Sequence, residues 1–224
     1  MSTTLSADRR EILHRRIRLI VAITIGYNLI EAVIAIAAGS IASSAALVGF
    51  GLDSTIEVLS AAAVAWQFTR RDPERWEKPT LRVIAIAFFA LAVYVTATSV
   101  LALVTAERPE HSRIGIVLTA VSVVVMPFLS LAERRAGREA GSATAVADSQ
   151  QTLICTYLSA AVLVGLVANS LFGWWWADAV AGLVIAAFAV REGIEAWKGD
   201  ACATSVGMIF EDDHDDDHGH DHHH

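Results

Sequence analysis

The sequence predicts an all-α, polytopic membrane protein with six transmembrane helices. Three observations lead there. The chain has 224 residues, of which 54% are hydrophobic, an apolar share above that of soluble domains. Those apolar residues are gathered into long runs separated by short charged connectors, the pattern of a chain that crosses a bilayer repeatedly. Lys and Arg crowd alternate connectors, as the positive-inside rule requires of a multi-pass protein.

The runs fall at 17–39, 43–67, 81–105, 114–132, 145–171 and 175–197. Each is about 20 residues or longer, enough at ~1.5 Å per residue to cross ~30 Å of hydrocarbon. Before them, residues 1–16 are polar and basic and read as a cytoplasmic arm, amphipathic or disordered, without the apolar core of a cleavable signal. The first span holds Asn28 and Glu31 near its middle, and the uncharged connector Gly39–Ala42 leads to the second, which holds Asp53 and Glu57. The connector at 68–80 is basic, and Pro79 is expected to open the third span at its first turn. Pro127 lies inside the fourth span and predicts a kink there. Gly173-Trp174-Trp175-Trp176 separates the fifth span from the sixth, and indole rings at that place read as an interfacial anchor. Residues 198–224 are polar, end in low complexity and read as a disordered cytoplasmic tail. The domain organisation is therefore an arm at 1–16, a transmembrane domain at 17–197 and a tail at 198–224.

Orientation follows from the basic residues. Arg9, Arg10, Arg15 and Arg16 precede the first span and Arg18 lies at its start, Arg70, Arg71, Arg75 and Lys78 precede the third, and Arg134, Arg135 and Arg138 the fifth. The opposite connectors carry only Arg108 and Arg113. Both termini are expected in the cytoplasm, with the protein in the plasma (inner) membrane. The formal charge of −7 arises in the tail, where Asp and Glu far outnumber Lys198. Cys155 and Cys202 are too few for a disulfide framework, and with one inside a span and the other expected near the cytoplasmic membrane edge, neither is placed to form a structural bridge.

The polar residues inside the spans carry the chemistry. Asp53 and Glu57 stand four residues apart, on one helix face. Two adjacent carboxylates in hydrocarbon need a proton or a cation between them. On the fifth span Asp148, Gln151 and Cys155 stand at i, i+3 and i+7, again one face. Oxygen ligands alone would suit Mg²⁺, Ca²⁺ or Mn²⁺; a cysteine sulfur moves the preference toward Zn²⁺, Fe²⁺ or Co²⁺. Gln151 offers a neutral carbonyl oxygen, which is atypical of tetrahedral zinc. Glu31 reads as a ligand, a proton carrier or a partner of Asn28, and Asp178 as a structural group at a helix start.

Gly51-Leu-Asp53-Ser-Thr-Ile-Glu57 and Ala147-Asp148-Ser-Gln-Gln151-Thr-Leu-Ile-Cys155 resemble the second-span and fifth-span motifs of the cation diffusion facilitator (CDF) family, and Trp176-Ala-Asp178 resembles the start of its sixth span. The resemblance implies a metal site built from Asp53, Glu57, Gln151 and Cys155, with both termini cytoplasmic. Three departures stand out: Glu57 in place of Asp, Gln151 and Cys155 in place of His and Asp, and only residues 198–224 where a cytoplasmic metal-binding domain commonly follows. In that the chain is similar to a divergent, minimal branch of the transmembrane-163 type. The resemblance further implies a homodimer and proton-coupled export.

The tail places His214, His218, His220 and His222 among Asp residues. Such a run binds Zn²⁺, Ni²⁺, Cu²⁺ or Co²⁺ in many geometries and reads as a metal collector. The expected function is transport of a divalent transition metal, Zn²⁺ first and Fe²⁺, Co²⁺ or Mn²⁺ after it, with the metal as substrate, protons as the counter-ion and no organic cofactor. A membrane metal sensor or assembly partner that moves nothing is the alternative. An enzyme is not expected: no HExxH, GxSxG or Ser/His pair lies in the spans, and His14 and His111 flank them. The bilayer is the expected partner surface, and nothing points to a nucleic acid.

Overall fold

The computed structural model describes residues 7–68, 73–140 and 143–198. Among these, six α-helices follow one another without a strand: α1 Ala7–Ala42, α2 Ala45–Phe68, α3 Pro73–Thr105, α4 Arg113–Ala140, α5 Ala143–Phe172 and α6 Trp175–Lys198. Lipid offers backbone groups no hydrogen-bond partner, so a helix that satisfies its own is the form apolar runs of this length take. Five of the six are long and apolar enough to span a membrane. The sixth has the length, at 24 residues, but carries Asp178, Arg191, Glu192, Glu195 and Lys198, which lowers its apolarity. The whole is a multi-pass helical membrane protein.

Helix ends depart from the expected edges in three places. Residues 7–16 continue α1 as helix. α3 begins at Pro73, so Pro79 lies inside it instead of opening it; Pro73 takes the first-turn place, where a missing N–H costs nothing. α4 runs on to Ala140 through Pro127, its turns unbroken.

α2 is the centre of the bundle. It lies against α1, α3, α5 and α6, while α3 runs along α6 and α4 along α5. One core gathers Ala35 and Ala38 of α1, Leu47 and Phe50 of α2, Leu158, Val162 and Leu166 of α5 and Ile185 of α6. A second joins Ile56 of α2 to Ala85, Phe88 and Val95 of α3 and Ala186 and Ala189 of α6. Small residues set the spacing: a Cβ on Gly51 would stand 2.9 Å from the Ala35 Cβ and 2.8 Å from Ile36 Cγ1, so α1 approaches α2 as closely as a glycine permits.

The connection between α1 and α2 is a tight corner. Ser43 takes a left-handed φ of 51°, and the Ser44 hydroxyl caps α2 by accepting from Leu47 N–H at 3.1 Å. Ser44 in turn donates to Asp178 Oδ1 at 2.5 Å, and Asp178 Oδ2 accepts from Ala46 N–H at 3.4 Å. Asp178 is 3% exposed. It stands in the first turn of α6, and the helix start it bonds is that of α2 across the interface. At the same end Asn169 donates to the Pro109 carbonyl at 3.0 Å, and the indoles of Trp174 and Trp176 stack at 5.4 Å on the exposed rim.

Candidate metal centre

The centre is built where α2 meets α1 on one side and α5 on the other. Asp53 lies eight residues into α2, about 12 Å below its capped end at 1.5 Å per residue, and is 7% exposed. Glu57 follows one turn deeper. Its Oε1 accepts from the Cys155 thiol of α5 at 2.7 Å, and its Oε2 accepts from Asn28 Nδ2 of α1 at 2.8 Å. One carboxylate thus joins three helices. Cys155 is 6% exposed and forms no disulfide with a described residue.

Glu31 is held elsewhere. It is 1% exposed and accepts from Ser54 Oγ of α2 at 3.0 Å and from Ser122 Oγ of α4. Tyr27 Oη lies 2.8 Å from the same Ser122 Oγ. Glu31 therefore anchors α1 to α2 and α4 through hydroxyl groups, and the Asn28 amide bonds to Glu57 instead of to Glu31. Asn28 and Glu31, neighbours on one helix, divide their partners between two polar clusters.

Asp148 and Gln151 belong to the first turns of α5, on one continuous helix with Cys155; their side chains fall outside the described part of the structure. The tail histidines His214, His218, His220 and His222, and Cys202, also lie outside the described residues. Among the described residues no three His, Cys, Asp or Glu side chains are gathered into a ready metal cage. What is gathered is an acid, a thiol and an amide. A divalent cation displaces the proton of such a thiol, since the thiolate is the ligand.

The profile of the cation efflux transmembrane domain matches residues 20–198. The chain belongs to the cation efflux family. Among curated proteins it is 35% identical over 79 residues to the cation-efflux pump FieF of Shewanella oneidensis, a stretch covering 35% of this chain and 26% of that protein. It is 23% identical over 192 residues to an uncharacterized transporter of Methanocaldococcus jannaschii, covering 81% of this chain and 66% of that protein. The chain thus spans less than two thirds of the length of these relatives.

Two residues of this cation efflux domain escaped sequence reasoning. Asn28 could be named as polar, but its choice of Glu57 over Glu31 depends on how α1 is rotated. Glu192 of α6 was hidden in a charged run near the helix end, where the Arg191–Glu195 pair at 2.9 Å marks a solvated face. Its carboxylate turns inward: Oε1 is buried without a partner among the described residues.

Proposed function

We propose that this protein carries divalent transition-metal ions out of the cytoplasm in exchange for protons, with Zn²⁺ the first substrate and Fe²⁺, Co²⁺ or Mn²⁺ behind it. The observation that carries the reading is the meeting of Glu57 and Cys155 across α2 and α5, at 2.7 Å. A carboxylate and a thiol on two facing helices are a pair that a soft-to-borderline cation would claim from a proton. Asp53, one turn from Glu57, and Gln151, one turn from Cys155, are the next ligands. Asp148 stands at the mouth of that face, and Glu31 holds the helix that bears Asn28. Metal in and protons out of the same groups couple the two flows, and rocking of helix groups about α2 exposes the site to each side in turn. The domain works as a homodimer in the plasma membrane with both termini cytoplasmic, and the tail histidines collect metal for it.

The test is flux through sealed proteoliposomes carrying a metal dye on one side and a pH dye on the other. Zn²⁺ entry with opposite proton movement is expected from the wild type, and none from Asp53→Ala. Tight binding of Zn²⁺ by protein whose vesicles stay unloaded would make this a sensor and overturn the transport reading.

A further inference from the structure

We propose that Asn28 of α1 is a selectivity-determining ligand of the transport site, offering its side-chain oxygen to the cation beside Glu57 and Cys155. The proposal rests on the metal-transport reading and adds a third helix to a site otherwise built on two. Asn28 is 6% exposed. Its Nδ2 donates to Glu57 Oε2 at 2.8 Å, while its Oδ1 is buried with no hydrogen-bond partner among the described residues. The amide cannot be turned to cure this. Reversed, it would leave its N–H group in the same unpartnered place, and would set oxygen against oxygen wherever Glu57 is ionised.

A structural asparagine bridging two helices would use both ends of its amide, because a buried acceptor left empty is disfavoured. Asn28 uses one end. The other is a neutral oxygen on the same planar group that touches Glu57, and so lies beside the Glu57–Cys155 pair. A cation arriving there supplies what that oxygen lacks. The donor type has a consequence: a carbonyl oxygen adds a hard ligand without adding charge, and favours Mn²⁺ over the softer Cd²⁺. The Cys155 sulfur pulls the other way, so the balance between ions is set by Asn28 and Cys155 together.

The experiment compares wild type, Asn28→Leu and Asn28→Asp in proteoliposomes, reading the ratio of Mn²⁺ to Cd²⁺ transport efficiency. Leu removes the oxygen and the N–H; Asp keeps the oxygen and removes the N–H. Asn28→Leu is expected to lower the ratio about tenfold, the scale of one altered metal ligand, while Asn28→Asp keeps or raises the wild-type ratio whatever its absolute rate. A merely structural Asn28 would slow both ions equally. The assignment is overturned if the ratio in Asn28→Leu stays within about threefold of wild type, or if Asn28→Asp loses it as Asn28→Leu does. Asn28→Ala, which adds no bulk, replaces the Leu variant if that one aggregates on gel filtration. If the wild type loads Zn²⁺ but neither of these ions, the Asn28 assignment is overturned; if it loads none of the three, the transport reading fails, and the same ratio criterion is applied to equilibrium binding of Mn²⁺ and Cd²⁺ by the detergent-purified proteins. Binding of neither ion overturns both.

Discussion

Replacing Asp178 by alanine should loosen the start of α2. The carboxylate sits 3% exposed on α6 and accepts from the Ser44 hydroxyl at 2.5 Å and Ala46 N–H at 3.4 Å. Hydrogen bonds to a charged group contribute roughly 1.5–3 kcal/mol each, and the longer of these two sits at the weak end. Alanine also leaves the Ser44 hydroxyl and the Ala46 N–H without that acceptor. The cap of Leu47 N–H by Ser44 Oγ survives, which limits the damage. The expected loss is about 2–4 kcal/mol, or one and a half to three decades in the folding equilibrium. Equilibrium unfolding of the detergent-solubilised protein by SDS titration, followed by tryptophan fluorescence, measures it. A double-mutant cycle with Ser44→Ala isolates the contact, and a coupling energy of about 1–2 kcal/mol is expected. A loss under about 0.5 kcal/mol, or strictly additive single mutants, would refute the claim that Asp178 of α6 holds the start of α2.

Three further outcomes are expected. Cys155→Ser keeps the shape and the donor but replaces soft sulfur with hard oxygen, so Zn²⁺ and Cd²⁺ transport should fall about tenfold relative to Mn²⁺; an unchanged metal ratio would exclude the thiol as a ligand. Gly51→Val drives atoms into Ala35 and Ile36, where even a Cβ would stand at 2.9 and 2.8 Å, and should cost about 1–3 kcal/mol in the same unfolding assay. Glu31→Gln leaves one acceptor for the Ser54 and Ser122 hydroxyls that now share a carboxylate and should cost about 1–3 kcal/mol; wild-type stability would show that those bonds hold nothing.

Much of the architecture was legible along the chain. An apolar run of some 20 residues can hardly do anything in a bilayer but form a helix, so the helices at 17–39 or 145–171 needed no partner to be read. Pro79 was misplaced because two prolines, Pro73 and Pro79, could each open α3, and the chain takes the earlier. The pairing of Asp53 with Glu57 on one face of α2 was legible for the same local reason: a helix repeats every 3.6 residues wherever it sits.

The sequence alone therefore determined the helices, their order and which polar residues share a face, because hydrogen bonding within a helix and its period are properties of nearby residues. Only the tertiary structure decided which faces meet. It turned Asn28 toward Glu57 and left Glu31 to Ser54 and Ser122. It set Cys155 against Glu57, buried one carboxylate oxygen of Glu192, and gave Asp178 to the start of α2. Those choices depend on the rotation and depth of one helix against another, which are set by close contacts such as Gly51 on Ala35 between residues far apart in the chain.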